Sequence, residues 1–325
     1  NTWFRPADVT VGPDGAIYVA DWFDPRVGGH GTSDRTLSGT IYRVAPKGFK
    51  PVVPKLNLNT QTGQVAALRS PAINTRYLGF SRLKEAGEQS IVPLVQLAKD
   101  SNPYVAARAI WILAQLGGRA ERALSMLLEA EFKGGGAPQT RIVAFRAFRR
   151  ANHPGIMDLA RRLAVDPSPA VRREVAFYLR NEEANPSVVS ILVELAKRYD
   201  GKDRTYLEAF GTGATGKEAA VYAALVKDTK SSDWNKATAG AVWRLMTAAA
   251  IPALQERVFN RKLPFADRSQ ALESIAFVRS GSAASAMADI ANFAQEKELA
   301  DRAAFWVKWN NDRWWKSYKP GDKLK

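Results

Sequence analysis

Residues 21–35 read Asp-Trp-Phe-Asp-Pro-Arg-Val-Gly-Gly-His-Gly-Thr-Ser-Asp-Arg and concentrate more reactive polar chemistry than any other stretch of the chain. Asp21, Asp24 and Asp34 offer hard oxygen ligands suited to Ca²⁺. His30 can accept a proton near neutral pH, so His30, Asp34 and Arg35 are the catalytic candidates. The spacing does not follow the EF-hand loop, and a second reading stands beside the first: an interstrand loop in which Asp21 and Asp34 bind backbone amides and Arg26 or Arg35 pairs with them. The other histidine, His153, precedes Pro154 and reads as a turn or cap residue, and two histidines this far apart support neither a Ser-His-Asp relay nor a His-rich zinc site. With no cysteine, these residues hold no disulfide, thiol nucleophile, Cys-ligated zinc or Cys-x-x-Cys-His haem attachment.

A second concentration lies at 305–319, Phe-Trp-Val-Lys-Trp-Asn-Asn-Asp-Arg-Trp-Trp-Lys-Ser-Tyr-Lys, with four of the nine tryptophans. On a helix, Phe305, Trp306, Trp309 and Trp314 cover one side and cap a core. The alternative is a partner-binding surface made of Trp306, Trp309, Trp314 and Trp315, since Trp and Arg dominate binding hot spots.

The elements that carry these groups change character near Pro51. Before it, Asp8 to Trp22 predicts a β-hairpin: alternating β-branched and aromatic residues flank Pro13-Asp14-Gly15, a turn with a preset φ and a permissive glycine. Gly39 to Val44 adds a strand, which makes a short β-meander resembling one blade of a propeller, and Ala16–Ala20 is expected to be an exposed edge. So small a sheet does not stand alone.

After Pro51 the pattern is helical. Ile91, Leu94, Val95 and Ala98 share one face, the turn Asp100-Ser-Asn-Pro-Tyr-Val105 follows, and Ala109, Ile110, Leu113 and Ala114 share another, with Trp111 placed beside them in the core. The turn recurs as Asp166-Pro-Ser-Pro-Ala-Val171, Pro103 and Pro169 lie 66 residues apart, and Pro138 falls between them. Second helices are predicted at 75–85, 104–116, 139–150, 170–180, 204–210, 235–248, 267–279 and 299–310, about eight hairpins in a one-dimensional stack. Gly211-Thr-Gly-Ala-Thr-Gly216 is expected to end the fifth of these helices early, as an irregular turn or a ligand-facing loop. The predicted organisation is a partial blade at 1–50, a linker at 51–60, the helical stack at 61–318 and a C-terminal linker at 319–325.

The pattern Asp166, Pro169, Val171, Arg172, Ala176 resembles HEAT repeats, so the fold class expected is mainly α, a HEAT-repeat α-solenoid behind a β-meander. The resemblance implies a ladder between neighbouring turns for Asp100, Asp166 and Arg172. Together with Phe4 to Trp22, the Gly28-Gly-His-Gly31 loop, Gly39 to Val44, Arg69 to Leu78 and Asp203 to Gly211, the chain resembles a family of large bacterial proteins. These are described as membrane-bound dehydrogenases or haem-binding-domain proteins and join a sorbosone or glucose dehydrogenase-like propeller, a HEAT region and a cytochrome c module. On that resemblance the chain corresponds to the last blade and the HEAT region. It implies a non-catalytic scaffold in an exported oxidoreductase, periplasmic or extracellular. Cofactors are then expected outside this chain: haem c, and a quinone or Ca²⁺. The partners implied are the propeller and cytochrome modules or another protein.

Composition bounds the alternatives. At 46% hydrophobic and 24% charged, the chain has ample material for a core, and no apolar run is long enough to cross a bilayer. Of the net charge of +15, all but one unit falls after residue 50. Basic residues recur at turns and second helices, among them Arg141, Arg149, Arg150, Arg172 and Arg173. A second function class follows, a basic HEAT protein that binds nucleic acid as the HEAT-like DNA glycosylases do. The β-hairpin start and the interleaved acids Glu121, Glu129 and Glu131 weigh against it.

Overall fold

The computed structural model describes residues 4–22 and 39–325, with no side chain described for residue 134. Its residues fall into two compact units, 1–153 and 154–325. Among the described residues there are three strands and sixteen α-helices.

In the first unit, β1 (Pro6–Val11), β2 (Ile17–Asp21) and β3 (Thr40–Val44) form an antiparallel meander in the order β1-β2-β3. β2, expected at an edge, is the central strand, because β3 pairs along its other side with Ile17 opposite Val44 and Asp21 opposite Thr40. The β1–β2 turn carries Gly15 at φ 85°, a conformation that favours glycine. Asp14 locks the turn: it accepts from the Ala16 N–H at 3.1 Å and the Tyr18 hydroxyl at 3.1 Å, and it meets Arg43 of β3 at 3.0 Å. Burial raises the Asp14 pKa, but these hydrogen bonds and the Arg43 charge outweigh it and hold the carboxyl below its ordinary value.

Six helices follow in three hairpins: α1 (Gln61–Ala67) with α2 (Ile73–Glu85), α3 (Ile91–Leu97) with α4 (Pro103–Leu116), and α5 (Gly118–Gly134) with α6 (Pro138–Arg150). The even-numbered helices pack on one another, and so do the odd-numbered ones, which gives two layers. The core between them includes Leu83, Leu94, Ala109, Ile110, Ile112, Leu113, Phe145 and Phe148, all fully buried. Trp111, expected in the core, is only half-buried, because its neighbours Ile110 and Ile112 take the inward positions.

The second unit holds five hairpins: α7 (Ile156–Leu163) with α8 (Pro169–Leu179), α9 (Pro186–Lys197) with α10 (Arg204–Gly213), α11 (Glu218–Val226) with α12 (Lys236–Leu245), α13 (Ile251–Phe259) with α14 (Phe265–Ala276), and α15 (Gly281–Phe293) with α16 (Lys297–Asn311). The eight second helices lie where the repeat places them. Local chemistry explains their starts: Pro103, Pro138 and Pro169 occupy first positions, where a missing N–H costs nothing. Asn102, Asp203 and Asn235 accept first-turn N–H groups of α4, α10 and α12 at 3.0, 3.0 and 2.8 Å.

An arginine at the fourth position of a second helix ties the intervening turn. Arg76 donates to the Ser70 carbonyl at 2.9 Å, Arg141 to Gly136 at 2.6 Å, Arg172 to Asp166 at 2.6 Å, and Arg268 to Val258 at 2.7 Å. The expected ladder is present but differs in its rungs. The Asp100 carboxylate pairs with Arg69 of the preceding turn, whereas Arg172 reaches the next hairpin through the Arg198 carbonyl at 3.3 Å and the Tyr206 hydroxyl at 3.2 Å. The Asp166 carboxylate accepts from the Ser168 N–H at 2.8 Å and so shapes its own turn.

Two differences from expectation have packing reasons. α10 runs on to Gly213 instead of ending at Phe210. A Cβ at Gly213 would lie 2.5 Å from the Ala176 carbonyl of α8, so this glycine permits close helix approach, and only Gly216, at φ 78°, serves the turn. The tail expected as a linker docks on α15 and α16: Pro320 is buried, Asn292 donates to the Lys323 carbonyl at 2.7 Å, and Gly321 N–H donates to Asn311 Oδ1 at 3.1 Å.

Candidate interaction surfaces

Of the polar loop, Asp21 is described, and its carboxylate is committed. It is buried, and Oδ1 accepts from the Arg5 N–H at 2.7 Å across the irregular start of β1. Asp24, Arg26, His30, Asp34 and Arg35 lie outside the described residues. Among the described residues no three His, Asp or Glu side chains converge as metal ligands. His153 packs edge-on against Phe148 at 4.6 Å and pairs with Glu121, which fastens the end of α6 to α5.

The meander presents a different kind of site. Strand alternation and the observed register put Val9, Val11, Ile17, Val19, Tyr42 and Val44 on one face. Val9 is 65% exposed and Val44 is 53% exposed, while Phe4 packs edge-on against Tyr42 at 5.5 Å. The opposite face, with Thr10, Tyr18 and Ile41, borders a groove of about 500 Å³ whose far wall is Ala72, Thr75 and Leu78 of α2 and the turn before it. No further strand pairs with β1 or β3 among the described residues. An apolar sheet face and two open edges are the chemistry of strand addition and hydrophobic docking.

At the C-terminus the four tryptophans separate. Trp315 is fully buried and donates its indole N–H to the Val278 carbonyl at 2.9 Å. It caps the last hairpin, together with Leu299, Ala303 and Val307 of α16. Phe305 and Trp309, expected among the capping residues, are exposed and stack at 5.9 Å, with Arg313 3.8 Å over Trp309. Trp306 meets Phe277 edge-on at 5.4 Å and donates to Glu273 at 3.2 Å. The capping role moved because α16 ends at Asn311 and the chain then folds back, which turns Trp315 inward.

Trp314 lines a cleft of about 650 Å³ with the 211–219 turn, the end of α12 and the 277–280 turn. Arg279 lies 5.1 Å over the Trp314 ring, whose indole N–H is buried without an acceptor. Arg244 is fixed by Glu208, which accepts from its Nε at 2.6 Å and also pairs with Arg204 at 2.6 Å. Burial alone would raise the Glu208 pKa, but the two guanidinium groups hold the carboxyl below its ordinary value. Sequence reasoning reached this place only through Trp314 and the Gly-rich run. It missed Arg244, in the last turn of α12, and Arg279, in the turn that follows α14.

The basic residues singled out in the sequence differ in how they are held. Arg141 is buried, Arg172 is tied to carbonyls and Tyr206, and Arg173 faces Asp203 at 3.9 Å, while Arg149 and Arg150 are exposed in the last turn of α6. No described helix is long and apolar enough to cross a membrane. No protein-family model and no curated protein matches this sequence.

Proposed function

We propose that this chain is a non-catalytic interaction scaffold, the HEAT-repeat region of an exported, haem-linked oxidoreductase of the sugar-dehydrogenase type. The observation that carries the reading is the meander: an exposed apolar face and, among the described residues, two edges without a further strand, attached to a stack of helical hairpins. A propeller module supplies strands and an apolar layer of the kind this sheet can receive. Haem c, and a quinone or Ca²⁺, belong on this reading to other modules. The chain has no cysteine to attach a haem. Its own contribution is to hold and orient.

Material isolated under non-denaturing conditions provides the test. Peptide mapping should find propeller and Cys-x-x-Cys-His peptides in association with this chain, together with a haem absorbance band. Val9→Asp combined with Val44→Asp should release the propeller-bearing material while leaving the helical melt unchanged. A lone chain without haem, or an association indifferent to both substitutions, would reject the proposal.

A further inference from the structure

We propose that the cleft beside Trp314 is a binding site for a small organic carboxylate with an apolar body, a role independent of the scaffold reading. Three successive inter-hairpin turns of the second unit build it: 211–219 between α10 and α11, 244–248 after α12, and 277–280 before α15. Its volume of about 650 Å³ lies within the ordinary range for small-molecule sites.

Charge decides the sign of the ligand. Arg279 has no carboxylate partner among the described residues and stacks over Trp314 at 5.1 Å. Glu218, the carboxylate in the wall, accepts from the Gly216 N–H at 3.0 Å. Arg244 belongs to a triad in which Glu208 answers both Arg204 and Arg244, so that group keeps one net positive charge. With Lys217, which donates to the Thr215 carbonyl at 3.0 Å, the cations Arg204, Arg244, Arg279 and Lys217 outnumber the carboxylates Glu208 and Glu218, so the surroundings favour an anion. α11 begins at Glu218 and α15 at Gly281, so two helix N-termini add partial positive charge at the wall.

The rest of the wall decides the body of the ligand. Leu245, Met246, Phe277, Val278 and the Trp314 ring form an apolar surface. Met246 is exposed, lines the cleft and is held at φ 46°, a left-handed conformation that costs a non-glycine residue energy. A carboxylate at the mouth of the cleft gives the Arg279 guanidinium a counter-ion while the ligand body meets the apolar wall.

The probe is 2-naphthoate, titrated into the full chain and followed by calorimetry and tryptophan fluorescence. Neutral 2-naphthol and inorganic phosphate are the comparison ligands. Saturable binding of 2-naphthoate is expected, at least tenfold tighter than either comparison ligand. Arg279→Gln, at an exposed position, should weaken it tenfold or more without changing the thermal melt. Ala219→Glu, which adds a carboxylate to the wall, should do the same. No saturable binding, equal binding of 2-naphthol, or undiminished binding by both folded variants would overturn the proposal. Preference for phosphate would overturn the carboxylate assignment.

Discussion

Glu296 shows how one side chain joins two repeats. It stands at the start of α16 and receives both terminal nitrogens of Arg268 from α14, at 2.6 and 2.7 Å. That bidentate pair, more than any other cause, pulls the Glu296 pKa down to about 2. Because the folded value is depressed, the pair stabilises the native state fully above the ordinary glutamate value of 4.5 and loses that contribution as pH falls toward 2. Glu296→Gln should therefore lower the Tm at pH 7, and the gap from wild type should close between about pH 4.5 and pH 2 in a pH series of thermal melts. A gap that stays constant with pH would show that the pair is not formed in solution. Leu113, fully buried in α4, is the residue whose removal tests the core: Leu113→Ala should cost about 2–5 kcal/mol in urea denaturation. Trp111→Ala, at a half-buried position, should cost less than its size implies.

At the scale of elements, close contact between second helices sets the repeat. Gly213 lies against the Ala176 backbone, where a methyl group has no room, so Gly213→Ala should destabilise the second unit by about 1–3 kcal/mol despite the better helix propensity of alanine. A neutral or stabilising result would mean that α8 and α10 separate without penalty. The meander is the opposite case. Its strands are paired well internally, yet among the described residues one apolar face is exposed and no further strand pairs with β1 or β3. The tail shows how little composition says about docking: Lys323 and Lys325 look solvated in sequence, yet Lys325 N–H donates to Asn292 at 2.9 Å and its ammonium lies 4.7 Å over Phe293.

For the whole molecule, the net charge of +15 is an excess of cations that pairing within the chain cannot remove, and the arginines differ in how far their contacts hold them. Arg268 and Arg302 meet carboxylates at 2.6 Å, Arg204 and Arg244 share Glu208, and Arg172 is held by carbonyls. The carboxylate-paired groups release few counterions on meeting a phosphate backbone, whereas Arg172, held by neutral carbonyls, keeps its charge. On the scaffold reading, binding of duplex DNA should be weak at ~0.15 M salt, with a shallow dependence of log K on log salt in a fluorescence anisotropy series. Tight binding with a slope that reports several phosphates would favour the nucleic-acid function instead.

The sequence by itself determined the helical hairpins and the strands, because those depend on local chemistry. Proline at first helical positions, Asn and Asp caps, and apolar residues at helical spacing act within a few residues of one another, and the second helices lie where those signals put them. The recurring Arg at the fourth position could also have been read, since it bonds to its own turn. Tertiary structure alone decided what depends on residues far apart in the chain. It made β2 central by pairing it with β3, turned Gly213 from a breaker into a contact, and buried Trp315 while leaving Trp309 on the surface. It also gathered Arg244, Arg279 and Trp314, separated by 35 residues at each step, into one cleft. Side chains of similar chemistry differ in fate because burial and charge pairing are properties of neighbours, and neighbours in a stack of repeats are about one repeat apart.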